Sequence, residues 1–244
     1  MSFNLPTEIV ELPSKGFIYP ESNPLSSGEV EMKYMTAKEE DILTNANYIA
    51  DGTVLDRLMK SLIVSNINYD DLIIGDKNAI MIAARILGYG KDYTFTYAGT
   101  EQTVDLTTLD SKPINPDLYT KGANEFEFEL PQSKNKVTFK FLTHKDEQDI
   151  SKELDSLKKI NKEGTAELTT RLRYIITSVN GDKEKKTINE FVNNYLLAQD
   201  SRALREYITS IQPDVDLSFF PSGSKIKRTL PLGTKLFWPD SDFG

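Results

Sequence analysis

The chain has 244 residues, enough for one large or two small domains with a real hydrophobic core. It contains no cysteine, which excludes a disulfide framework, a thiolate metal site and a cysteine nucleophile. Its formal charge of -8, from 29 Lys plus Arg against 37 Asp plus Glu, disfavours broad adhesion to nucleic acid or anionic lipid. No apolar run reaches the roughly 20 residues that span a bilayer, and Met1 to Pro6 lacks the features of a signal peptide, so a soluble protein is expected.

In chain order, Glu8 to Leu12 and Glu29 to Tyr34 alternate apolar and polar around a Pro/Gly/Ser-rich stretch, which predicts two strands joined by a long loop. Thr36 with Glu39 reads as a capping box, the start of a helix. Leu55, Leu58, Met59, Leu62 and Ile63 follow helical spacing. Asp76 is placed to cap a further helix through Leu87, with Gly88 as its stop. Strand patterns return at Tyr93 to Tyr97 and at Val104 to Leu109, on either side of Gly99.

The second half repeats this order. Glu129-Leu130-Pro131 echoes Glu11-Leu12-Pro13, and Thr138 to Glu147 echoes Glu31 to Glu40, with Thr143 and Asp146 in the places of Thr36 and Glu39. Leu168, Leu172, Ile175, Ile176 and Val179 predict a helix, Thr187 with Glu190 opens an additional one, and Asp200 is placed to cap a last one that Pro213 ends. Leu217 to Phe220 and Ile226 to Leu232 flank Gly223 as a final hairpin. The expected fold is α+β, built as two tandem related modules, each strands, then a helical block, then a β-hairpin. Residues 1–110 form the first module with its proline-rich loop, 111–124 a linker, and 125–244 the second module with an aromatic carboxyl-terminal segment.

Catalytic chemistry finds little support. The single histidine, His144, sits in a first helical turn with no nucleophile motif beside it and reads as a helix-surface residue. The acid pairs Glu39-Glu40, Asp70-Asp71 and Asp146-Glu147 diverge around a helix and suit its amino-terminal dipole. Gly88-Tyr89-Gly90 follows a helix instead of opening one, the wrong order for a phosphate cradle. The basic clusters Lys183, Lys185, Lys186 and Lys225, Lys227, Arg228 are not interleaved with aromatics, so they read as solvated loops or protein contacts and not as a nucleic-acid surface. We therefore expect no catalytic, cofactor-binding or metal-binding residues. The candidate interface is Phe17, Tyr19, Phe219, Phe220, Lys225, Lys227, Arg228, Phe237 and Trp238, since aromatic side chains near loops and ends anchor partners or their own domain.

Three stretches, Leu12-Pro13-Ser14-Lys15-Gly16-Phe17-Ile18-Tyr19-Pro20, Met32 to Leu43 and Leu72 to Gly90, resemble the baseplate hub subunit and hub-assembly family of T-even-like contractile-tailed bacteriophages. The likeness is dense up to Gly90 and resumes at Phe237-Trp238-Pro239-Asp240. It implies a structural or assembly role in the tail baseplate through docking with other tail proteins, without assigned catalysis, nucleic acid or membrane. The setting implied is the host cytoplasm during assembly and then the virion baseplate. The alternative is a transient chaperone or adaptor for another tail protein, absent from the mature particle. Members of the family often carry cysteine pairs of zinc-ribbon type near the hairpin turns. The turns Ala98-Gly99-Thr100 and Ser222-Gly223-Ser224 hold no sulfur, so zinc is not carried over. An enzyme with dispersed carboxylates is the third reading.

Overall fold

The computed structural model describes residues 4–160 and 166–238, without the side chain of Ile160, so the expectations for residues 1–3 and 239–244 lie outside the described residues. The chain is α+β, with small antiparallel sheets set among helices.

Strand β1 (Thr7–Glu11) pairs antiparallel with β2 (Glu29–Lys33), with Val10 opposite Val30. The loop between them is closed at its base by the Leu12 amide on the Gly28 carbonyl at 2.8 Å. Gly16, at φ 75°, allows this closure, because a Cβ there would lie 2.3 Å from the Ser26 carbonyl oxygen. Helices α1 (Ala37–Leu43), α2 (Ala46–Ala50) and α3 (Val54–Leu62) follow, and α3 turns Val54, Leu58, Met59 and Leu62 into the core. The chain then runs back along β2, with Ile63 bridging Met32 and Val64 donating to the Glu31 carbonyl at 2.8 Å. A 3₁₀ turn at Tyr69–Asp71 leads into α4 (Ile74–Tyr89). The hairpin of β3 (Asp92–Tyr97) and β4 (Thr100–Asp105) closes on Ala98-Gly99, both at positive φ, as a tight two-residue turn requires.

The second half places β5 (Phe126–Glu129), β6 (Lys136–Phe139) and β7 (Ile176–Val179) in one three-stranded antiparallel sheet. Between β6 and β7 lie α5 (His144–Ile160) and α6 (Glu167–Ile175), and after them α7 (Lys185–Asn194) and α8 (Ala198–Ile211). A short hairpin, β8 (Ser218–Phe219) with β9 (Arg228–Thr229), and a 3₁₀ turn at Thr234–Leu236 complete it.

Several expectations are corrected. Ile176 and Val179 are strand and not helix: the run Ile175-Ile176-Thr177-Ser178-Val179 is β-branched at every position but Ser178 and finds an open partner in β6, so tertiary pairing overrides the helical spacing. Helix α4 continues past Gly88 and ends at Gly90, φ 82°. Helix α7 begins two residues before Thr187, whose hydroxyl instead donates to Asp182 at 2.8 Å. Strand β4 starts at Thr100, earlier than Val104, and a 3₁₀ turn at Leu106–Thr108 replaces its expected end. Asp76 and Asp200 are not caps: each lies in the first turn and points away to another segment.

The halves are stitched together. Ile73, just before α4, bridges Thr143, just before α5, with the His144 amide on the Leu72 carbonyl at 2.8 Å. Gly75 lies so close to the second half that a Cβ would stand 1.9 Å from the Pro213 carbonyl oxygen. Residues 111–124 are woven into the same seam, for Lys112 donates to the Asp214 carbonyl at 2.8 Å and Asp216 returns a bond to the Asp110 carbonyl at 2.8 Å. One hydrophobic core draws on both halves, from Leu12 and Tyr93 to Phe139 and Leu236.

Candidate functional site

The buried polar groups come in matched sets. In the first half, Glu39 of α1 accepts from the Thr36 amide at 3.0 Å, from the Lys33 ammonium at 2.8 Å and from the Ser61 hydroxyl at 2.8 Å. Burial alone would push this carboxyl up, but those hydrogen bonds prevail and hold it at about 2. In the second half, Asp146 of α5 accepts from the Thr143 amide at 3.0 Å and from the Lys140 ammonium at 2.7 Å. The spacing Lys, Thr, acid is the same in both.

A second pair follows. Asp76 of α4 accepts from the Ser14 amide at 2.9 Å and hydroxyl at 2.7 Å and from the Tyr19 hydroxyl at 2.6 Å. Asp200 of α8 accepts from the amides of Gln132 at 2.7 Å and Ser133 at 3.0 Å. In both cases an Asp in the first turn of a long helix holds the backbone that follows a Leu-Pro step. Burial pushes the Asp76 carboxyl up to about 6, against its hydrogen bonds, whereas for Asp200 the backbone amides outweigh burial and hold the carboxyl below the usual range.

His144 is only 3 % exposed, so the expectation of a helix-surface residue is corrected. The stitch between Leu72 and His144 draws the imidazole inward among residues of the first half. Its Nδ1 lies 3.0 Å from the Lys77 ammonium and its Nε2 3.3 Å from Asp56 Oδ2, with the Tyr69 ring edge-on at 4.7 Å. An ammonium only donates, so Nδ1 is the lone-pair nitrogen and Nε2 carries the proton, between the Gln148 side-chain amide at 3.0 Å and Asp56. Burial, then the Lys77 charge, lowers the imidazole from its ordinary value and keeps the ring neutral. Lys77 also donates to Asp56 at 2.7 Å. This cluster is a polar clamp between the halves. Nothing in the local sequence pattern pointed to it, because its members come from four separate segments.

The nine candidate interface residues divide. Tyr19, Phe219 and Phe237 are buried: Tyr19 is spent on Asp76, Phe219 packs against Phe95 at 5.3 Å and Tyr97 at 5.8 Å, and Phe237 lies in the core. Phe17 is half-buried against Tyr119, and Trp238 is half-buried against the core. Phe220, Lys225, Lys227 and Arg228 are exposed together on the last hairpin, with Lys227 over the Phe220 ring at 5.8 Å. Ile226, between the two lysines, is 61 % exposed and was missed, although an isoleucine amid loop lysines is itself a signal. Two more exposed apolar residues, Leu5 and Ile9, lie at β1. Of the other basic cluster, Lys183 is tied to Glu125 at 3.1 Å. Among the described residues no group of three or more His, Asp or Glu could hold a metal ion, and no helix is long and apolar enough to cross a membrane. Comparison of the chain with protein families, curated proteins and solved structures gave no match.

Proposed function

We propose that the chain is a structural or assembly protein of a phage tail baseplate, acting through docking, and that its halves are two copies of one module. The observation that carries the docking reading is the division of labour among side chains. The buried ionisable groups Glu39, Asp76, His144 and Asp200, and half-buried Asp146, are engaged in bonds that hold backbone segments or the two halves together. On the last hairpin, by contrast, exposed apolar and basic side chains stand together, at Phe220, Ile226, Lys225, Lys227 and Arg228. The matched Lys-Thr-acid and Leu-Pro-to-Asp contacts support the copy reading, and the resemblance of Leu12 to Gly90 supports the tail setting. Acidic Glu101 near one hairpin turn and the basic residues of the other would direct the halves to different neighbours.

The test is the protein content of purified tails from which loosely bound material has been stripped. Retention, with cross-links from the last hairpin to a tail protein, is the expected result for a permanent subunit. Absence from stripped tails together with a stable complex before assembly moves the protein to the transient chaperone or adaptor role. Absence from both overturns the tail setting.

A further inference from the structure

The first hairpin leaves one edge open. Tyr34 donates its amide to the Pro6 carbonyl and Leu12 donates its amide to the Gly28 carbonyl. With Val10 opposite Val30, this phase turns the amides and carbonyls of Glu8 and Val10 towards β2, and those of Thr7, Ile9 and Glu11 outward. The far edge of β2 is already taken by Val64. Among the described residues no strand pairs with the outer edge of β1.

The solvent face of this edge has a distinct composition. Ile9 is 57 % exposed and Leu5, just before the strand, 51 %. Around Ile9 stand Glu31, directly across, and the cross-strand pair Glu11 and Glu29, two like charges facing each other. Lys33, on the same face, is already committed to buried Glu39 at 2.8 Å. An exposed isoleucine thus sits in an acidic surround beside unused backbone donors and acceptors. Two such edges repel each other, so this edge selects a basic strand.

The last hairpin presents that complement: Ile226 is 61 % exposed between Lys225 and Lys227, with exposed Arg228 following. We propose that the two surfaces are partners on separate copies of this chain, the 224–228 segment of one copy adding as a strand along the open edge of β1 of the next. With Ile226 opposite Val10, a lysine falls across from Glu11 on the acidic face in either strand direction, Lys225 if antiparallel and Lys227 if parallel, and the Ile226 amide, already given to the Ser224 hydroxyl at 3.1 Å, points away from β1. The joined surfaces are unlike, so copies add head to tail, closing into a ring or extending as a chain. This goes beyond the tail reading and does not depend on it.

The experiment is the mass of the purified full chain by light scattering or sedimentation, from micromolar to millimolar concentration, at about 0.1 M salt, where the Debye length of about 10 Å damps the repulsion between acidic copies but not contact pairs. The wild type is expected to rise above the single-chain mass. Glu11→Lys with Glu29→Lys, or Lys225→Glu with Lys227→Glu, is expected to weaken association roughly tenfold or more. An equimolar mixture of the two variants recovers it, since a reversed edge meets a reversed hairpin. Ile9→Pro removes an amide that points outward, so it abolishes association while thermal unfolding stays close to wild type. If Ile9→Pro unfolds the protein, the charge-swapped mixture decides. A wild type that keeps single-chain mass throughout, variants that associate unchanged, or a mixture that fails to recover overturns the proposal. None of these results bears on whether the protein resides in tails, so the two readings fail separately.

Discussion

Helices α4 and α8 begin in the same way and end up in opposite surroundings. Each carries an aspartate in its first turn that holds the backbone after a Leu-Pro step, Asp76 with Ser14 and Asp200 with Gln132 and Ser133. The start of α4 is pressed into the seam, Gly75 against Pro213, whereas Gln199, one residue before Asp200, is exposed. Both carboxylates are fully buried, yet burial outweighs the hydrogen bonds of Ser14 and Tyr19 and pushes Asp76 up to about 6, while backbone amides outweigh burial and hold Asp200 below its usual range. One frame therefore serves two purposes: in the first half it sits at the joint between halves, and in the second it holds the turn between β5 and β6.

The comparison breaks most visibly at Gly75. Gly75→Ala forces a Cβ into the Pro213 backbone and is expected to cost about 3 kcal/mol or more, whereas Gln199→Ala stays within about 0.5 kcal/mol, read from urea midpoints. The two aspartates are the next test, with Asp76→Asn and Asp200→Asn each expected to cost about 2 kcal/mol near neutral pH by disturbing a buried bond set. Their pH dependence runs in opposite senses. Because the folded value of Asp76 is raised, the stability it contributes is full below 3.8 and lost as pH rises through about 6, so the deficit of Asp76→Asn shrinks on that rise. Because that of Asp200 is lowered, its contribution is present above 3.8 and lost as pH falls, so the deficit of Asp200→Asn shrinks in acid.

A smaller effect is expected at the clamp. The imidazole of His144 is held below 6.5 in the fold, so its contribution is present above that pH and lost as pH falls beneath it. The advantage of wild type over His144→Gln should accordingly narrow on acidification, whereas Ala37→Gln, at the exposed matching position, gives no such trend. The smallest effect belongs to the last hairpin: Lys225→Glu with Lys227→Glu should leave thermal stability within about 0.5 kcal/mol, because both side chains are exposed.

How far the sequence could be read follows the range of the forces involved. The first hairpin, the helix starts at Thr36 and Thr143 and the helix of Leu55 to Leu62 were legible because alternation, capping and apolar spacing act over a few residues. Strand β7 was not, since Ile176 and Val179 fit helical spacing and only the distant partner β6 decides their conformation. His144 was misplaced for the same reason: its burial depends on Lys77, Asp56 and Tyr69, which nothing local connects to it. The aromatic candidates split along this line too. Phe219 and Phe237 look like anchors in one dimension, but the β3–β4 hairpin and the shared core claim them in three.

The buried guanidinium of Arg85 donates to the carbonyls of Gly90 at 2.8 Å, Asp92 at 3.2 Å and Leu236 at 2.9 Å. Two of these acceptors lie within seven residues, and the third arrives only 151 residues later. A nascent first half on the ribosome would therefore hold a desolvating cation with its outermost partner missing and the Phe95 face of its hairpin bare. Completion waits for residue 236, so a chain truncated during translation stays unfinished in its first half, at a distance in sequence that no local repair can bridge.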